Sequence, residues 1–149
     1  KQRAVIVYDS MWGSTGIMAS AIASGLEDEG VPVRIIDIQK NHHSDVMTEL
    51  ADCGAVIVGS ATHNNNVLPG IADVLTYMKG LRPLNRVGAA FGSYGWSGES
   101  PKIIQEWLAS MNMDMPADPV KCLFVPKHEG LSQCVALGKT VAEALKAKC

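Results

Sequence analysis

Five short runs of apolar, mostly β-branched residues, each followed by a stretch with helical spacing, constrain this chain more than anything else in it. The runs are Arg3-Ala4-Val5-Ile6-Val7, Val31 to Asp37, Ala55 to Gly59, Arg86 to Phe91 and Val120 to Val125. In the first and third, runs this short without polar alternation are the mark of fully buried strands, while Pro32 in the second is tolerable near a strand start or on a sheet edge. Helices are predicted over Ile17 to Leu26, Asp45 to Leu50, Ile71 to Lys79, from Ser100-Pro101 onward, and over Leu131 to Lys146. The first carries Ile17, Ala21, Ile22 and Leu26 at helical spacing. The fourth buries Ile103, Ile104, Trp107, Leu108 and Met111, and the last Val135, Leu137, Val141 and Leu145. Gly30 reads as a left-handed cap, Gly80 as a helix stop, Ser44 as an N-cap and Ser100-Pro101 as a cap with proline at the first helical position. Strand–helix alternation of this kind predicts an α/β three-layer sandwich. Its core is one parallel five-stranded sheet in order 2-1-3-4-5, and the whole of residues 1–149 forms one domain.

The 149 residues suffice for one core. A net charge of −2 excludes the concentrated Lys and Arg that a nucleic-acid partner demands. No apolar run has the length of a membrane span, and no signal peptide opens the chain. The expected location is therefore the cytoplasm, with neither nucleic acid nor membrane as a partner. Cys53, Cys122, Cys134 and Cys149 show no metal-like spacing, which fits free thiols used as small apolar residues in a reducing compartment. The chain opens on Lys1 and enters a strand almost at once, which suggests a fragment of a longer polypeptide, although a processed terminus looks the same.

Three strands, the first, third and fourth, end in unusual loops. After the first, Tyr8-Asp9-Ser10-Met11-Trp12-Gly13-Ser14-Thr15 surrounds a glycine with small hydroxyls just before a helix. Hydroxyls plus the free N–H groups of a helix N-terminus form a phosphate receptor, here without Lys or Arg. After the third, Ser60-Ala61-Thr62-His63-Asn64-Asn65-Asn66 offers hydroxyl and backbone groups to a polar chain or ring edge. After the fourth, Ser93-Tyr94-Gly95-Trp96-Ser97-Gly98 offers aromatic faces to a flat ligand. Taken singly, each has an ordinary explanation: a helix cap, a turn, a packed tryptophan. In an open parallel sheet, however, ligands bind beyond the strand C-termini where strand order reverses, between strands one and three. A phosphate at one end and a planar ring at the other describes a flavin nucleotide.

The same motifs resemble the flavodoxin-like domain of flavodiiron proteins, also called A-type flavoproteins. The resemblance rests on Tyr8 to Thr15, on Thr62-His63-Asn64-Asn65-Asn66-Val67-Leu68-Pro69 and on Phe91-Gly92-Ser93-Tyr94-Gly95-Trp96-Ser97-Gly98. It implies that Ser10, Met11, Trp12, Gly13, Ser14 and Thr15 hold the phosphate of non-covalent FMN. Ser60, Ala61, Thr62, His63, Asn64 and Asn65 would border the ribityl chain and one side of the ring. Ser93, Tyr94, Gly95, Trp96, Ser97 and Gly98 would enclose its other edge. The resemblance further implies a diiron centre in a domain absent from this chain, reducing dioxygen or nitric oxide. Electrons would arrive from rubredoxin or an NAD(P)H-linked reductase and pass to the diiron domain of the neighbouring subunit in a head-to-tail homodimer. Ala61 stands where these proteins commonly have Pro. His63 and Asn64 stand where free flavodoxins have an aromatic residue and then Gly.

The reading is thus an FMN relay with no catalytic side chain and no metal ligand of its own, and with low potentials, since no cation lies in the three loops. His42, His43 and His128 are expected to be solvated loop residues. Asp9 is expected to point away from the phosphate and bond the backbone of its own turn. The alternatives are a stand-alone flavodoxin carrier, an NAD(P)H:quinone-type flavoenzyme, or a domain that has lost its flavin and serves in assembly. A P-loop nucleotidase lacks its Lys, a dinucleotide-binding domain lacks G-x-G-x-x-G, and a phospho-accepting receiver lacks its Asp, because strand three ends in Gly59-Ser60.

Overall fold

At the centre lies β3 (Ala55–His63), flanked by β1 (Ala4–Asp9) and β5 (Val87–Tyr94), with β2 (Val33–Asp37) and β6 (Val120–Leu123) at the edges. These five strands are parallel, in the expected order 2-1-3-4-5 when counted along the chain; the two-residue β4 (Asn66–Val67) pairs antiparallel with the end of β3. The computed structural model describes residues 3–9, 13–40, 43–51, 53–63, 66–81, 86–94, 99–123 and 128–148. Five helices complete it: α1 (Ser14–Asp28), α2 (His43–Ala51), α3 (Pro69–Leu81), α4 (Glu99–Ser110) and α5 (His128–Lys148).

Successive strand residues alternate faces, so the sheet feeds two apolar layers. Ala4, Ile6, Ala55, Ile57, Ala89 and Phe91 pack under α1 and α5. Val5, Val7, Val56, Val58 and Ala90 pack under α2, α3 and α4. All ten of these strand side chains, together with Phe91, are at most 1% exposed.

Several boundaries differ from the sequence reading. β3 continues four residues past Gly59, and β5 three residues past Phe91. Ser60, Ala61, Gly92 and Ser93 are weak strand formers, but they extend the ladder in register, Ser60 against Gly92 and Ala61 against Ser93, so pairing overrides propensity. Gly80 lies inside α3 rather than ending it, and nothing within 4 Å crowds it. Ser44 is helical, so it is not the cap of α2, which begins at His43. β2 starts two residues later than expected; α5 extends beyond both expected ends, so His128 is its first residue. β6 is described to Leu123, and the rest of the expected strand lies outside the described residues. Ile17 does not join the core: it is 47% exposed, and the buried face of α1 is Met18, Ala19, Ile22, Ala23 and Leu26. Gly30 does adopt the left-handed conformation, φ +79°, and the N–H of Val31 returns to Leu26 O to close α1.

Candidate functional site

The ends of β1, β3 and β5 lie side by side, Asp9 against Ser60 and Ala61 against Ser93. Beyond β1 the chain enters α1 in one apolar layer; beyond β3 it enters α3 in the other. Adjacent strands whose connections leave toward opposite faces open a crevice between them, the place where such sheets bind ligands.

On the β1 side, Gly13 takes φ +85° and caps α1 with no side-chain hydrogen bond, and no acidic residue lies in the first turn. The N–H groups of that turn are therefore not claimed by a capping side chain, and the helix end presents partial positive charge. Ser14 and Thr15, expected in the turn ahead of the helix, are its first two residues and are buried. Thr15 is fully buried, and its Oγ1 lies 2.8 Å from Ser93 Oγ, a hydroxyl pair that ties the start of α1 to the end of β5. The Tyr8 ring packs where a side chain at residue 16 would stand: a Cβ on Gly16 would lie 3.2 Å from Tyr8 Oη. Burial, then the neighbouring Asp37 carboxylate and its hydrogen bond, push the Tyr8 phenol above its usual range.

Asp9 corrects an expectation. It is buried, and Oδ1 accepts a 2.6 Å hydrogen bond from Gln39 Nε2, on the segment after β2, rather than bonding the backbone of its own turn. It also excludes a side chain from residue 70, where a Cβ would stand 2.8 Å from Oδ2. Sequence spacing held no sign of Gln39, because the contact crosses two strands.

On the β3 and β5 side, Ser60 is fully buried; its Oγ donates to Ala61 O (2.8 Å) and accepts from Leu68 N–H (2.9 Å), so it fixes the β3–β4 hairpin from inside. Ser100, expected as a local cap, is instead the second residue of α4 and completely buried. Its hydroxyl donates to Ser60 O at 3.0 Å, and its N–H donates to Thr62 Oγ1 at 3.1 Å. Thr15, Ser60, Thr62 and Ser93 are thus gathered around the ends of β1, β3 and β5, and Ser100, which the sequence reading did not place there, is bonded to two of them. Of the remaining predicted residues, Ser10, Met11, Trp12, Asn64, Asn65, Gly95, Trp96, Ser97 and Gly98 lie outside the described residues, as does the side chain of His63.

The loops themselves carry no cation, but the fold brings one beside them: Lys121 Nζ, on β6, sits 5.9 Å from the centroid of the Tyr94 ring. A separate polar groove of about 190 Å³, lined by Arg34, Ile36, Asp45, Thr48 and Glu49, lies at the β2 edge. Arg3 and Arg34 both pair with Glu49 there, and it offers no aromatic face. Cys53, Cys122 and Cys134 are buried free thiols, as apolar use predicts, but two of them are not scattered: Cys122 and Cys134 share a hydrogen bond between β6 and α5. Burial, reinforced by that neighbour, pushes Cys134 up to about 12.

With this geometry in hand, comparison with known proteins is informative. The flavodoxin family model matches residues 6–138. Rubredoxin-oxygen oxidoreductase of Megalodesulfovibrio gigas is 53% identical over 98% of this chain and 36% of its own length. The solved structure of the Desulfovibrio gigas rubredoxin oxygen:oxidoreductase superposes with a TM-score of 0.97 and 53% identity, over 99% of this chain and 37% of that one. A nitric oxide reductase of Moorella thermoacetica is 42% identical over 95% of this chain and 36% of its own length. A flavodoxin from the domain Archaea superposes with a TM-score of 0.86 and 35% identity, over 97% of this chain and 99% of that one. The chain spans about a third of the two enzymes' length and nearly all of the free flavodoxin. The switch point of a 2-1-3-4-5 sheet, a glycine-capped helix start beside it and a family match spanning most of the chain agree: the chain belongs to the flavodoxin family, as a flavodoxin-like domain of the kind found in flavodiiron proteins.

Proposed function

We propose that this chain binds FMN non-covalently in the crevice and relays electrons. They would come from a reductant such as rubredoxin and pass to a diiron site reducing dioxygen or nitric oxide in a domain outside this chain. The observation that carries the reading is the glycine-capped start of α1 beside the Thr15–Ser93 hydroxyl pair. It joins an anion receptor to the loop that would enclose a ring, with no cation needed at the phosphate. FMN bound there would supply the redox chemistry, taking up and releasing electrons singly or in pairs. The protein's part is to hold and tune it.

Each residue then has a role. Backbone N–H groups of the first α1 turn, with Ser10 and Ser14, would hold the phosphate. Thr15 would hold the helix start against β5 and, by exchanging its Ser93 partner, could also reach the phosphate. Ser60 to Asn65 would border the ribityl chain and one side of the ring, and Ser93 to Gly98 its other edge, with Trp96 nearest. Tyr94 would bring the Lys121 charge toward that edge, where an exposed ammonium acts weakly through solvent. No side chain is assigned acid, base or nucleophile.

Two cores closed on one sheet support a test on the chain itself. Added FMN should be quenched in fluorescence on titration, and the protein should turn yellow with two visible bands. A folded preparation that stays colourless and leaves FMN fluorescence unchanged would overturn the proposal. A second reading, a free-standing flavodoxin carrier, draws on the archaeal flavodoxin that this chain spans almost end to end. Reduction of a diiron partner domain by the FMN-loaded chain, faster than reduction of a quinone with NADPH, would favour the relay. A cytoplasmic location belongs to the same proposal; among the described residues no helix is long and apolar enough to cross a membrane.

A further inference from the structure

Ser100 lies outside all three ligand loops, yet it is bonded at two points to the first part of the second, Ser60 and Thr62. Its hydroxyl donates to Ser60 O and its backbone N–H to Thr62 Oγ1, at 3.0 and 3.1 Å. It is completely buried, and its hydroxyl bond to Ser60 O is shielded from bulk water, while the bond to Thr62 is part-buried. The approach needs a glycine opposite: a Cβ on Gly92 would stand 2.5 Å from Ser60 O and 2.7 Å from Ser100 Oγ, inside the contact itself. Residues 95–98 run from the end of β5 to the start of α4, so their two ends are set by Ser93, bonded to Thr15, and by Ser100. Fixing Ser100 to β3 therefore fixes where α4 starts relative to the end of β3.

The second bond has a chemical consequence. With Ser100 N–H directed at Thr62 Oγ1, one lone pair of that half-exposed hydroxyl is taken, which biases Thr62 to meet a ligand as a donor. We propose that Ser100 is a positioning residue for the ring end of the site, holding the start of α4 against the end of β3 and presenting the Thr62 proton to an acceptor atom on the ring. The inference rests on the FMN reading above.

The test titrates FMN and riboflavin into the wild-type chain and into Ser100→Ala, and records the visible bands of the bound flavin. Loss of one buried hydrogen bond predicts about tenfold weaker FMN binding. Riboflavin should weaken by the same factor, because the phosphate end is untouched, and the bound-flavin bands should shift. A role in stability alone would lower the melting temperature and leave both bands and affinities as in the wild type, which would overturn the inference. Should Ser100→Ala fail to fold, Thr62→Val takes its place. It removes the acceptor of Ser100 N–H and should show the same weakening and band shift, with Thr62→Ser restoring both; wild-type behaviour of Thr62→Val overturns the inference. A wild-type chain that ignores FMN sinks the FMN reading itself, and the first titration reveals that outcome separately.

Discussion

The two apolar layers hold the sheet in different ways. On one side, α1 and α5 touch backbone to backbone: a Cβ on Gly25 would lie 2.2 Å from Val135 O, and one on Gly138 would lie 2.2 Å from Ile22 O. On the other, α2, α3 and α4 sit on a methionine-rich cluster, with Met78, Met111 and Met113 buried and Met47 and Met115 packed against it. Glycine contacts fix a distance, whereas methionine side chains fill whatever gap is left. The helix that would hold the phosphate belongs to the first layer and the helix that carries Ser100 to the second. On the FMN reading, the phosphate end of the site would be set by rigid helix packing, and the ring end by a few hydrogen bonds across an adaptable layer.

Gly138→Ala should break that contrast most severely. Helix propensity alone favours alanine by about 1 kcal/mol. Overpacking against a backbone carbonyl costs about 3 kcal/mol or more, so the net change should be clear destabilisation in chemical denaturation. The matching swap in the other layer, Met78→Leu, should cost less than about 1.5 kcal/mol because volume is conserved. Equal losses at the two positions would show that the layers do not differ.

Cys134 supplies a pH-dependent effect confined to the first layer. Burial holds its folded-state pKa at about 12, above the ordinary thiol value of 9.0, so its contribution to stability is complete below about pH 9 and lost as pH rises toward 12. Stability should fall in that window by at most about 1.4 kcal/mol per pH unit from this group. Cys134→Ala should remove that part of the slope in urea melts recorded at successive pH values. An unchanged slope would place the thiol outside the closed core.

The smallest effect expected is at Ile17. Exposed on α1 next to the crevice, it should tolerate Ile17→Ser within about 0.5 kcal/mol in thermal melts, whereas its helical spacing alone would make it a core residue. A loss of several kcal/mol would restore it to the core.

Much of this protein was legible in its residues. Val5, Ile6, Val7, Val56, Ile57 and Val58 announce doubly buried strands because nothing polar interrupts them, and Gly30 announces its left-handed cap because few other residues accept it. The placement of three polar, aromatic loops after strands one, three and four followed from the same pattern. Less legible were the strand ends. Ser60, Ala61, Gly92 and Ser93 look like loop by propensity, and pairing between them makes them sheet, with Thr62 and Tyr94 paired to Val67 and Leu123.

What the chain determined alone was local: which segments bury apolar surface, and that hydroxyls rather than cations stand where the first strand turns into the first helix. Tertiary structure decided everything that depends on distance between remote residues. Asp9 meets Gln39, Thr15 meets Ser93, Cys122 meets Cys134, and Ser100 meets Ser60 and Thr62. Hydrophobic burial follows a period that can be read along a sequence; a hydrogen bond between residues forty positions apart follows only from where the sheet and its helices set them down.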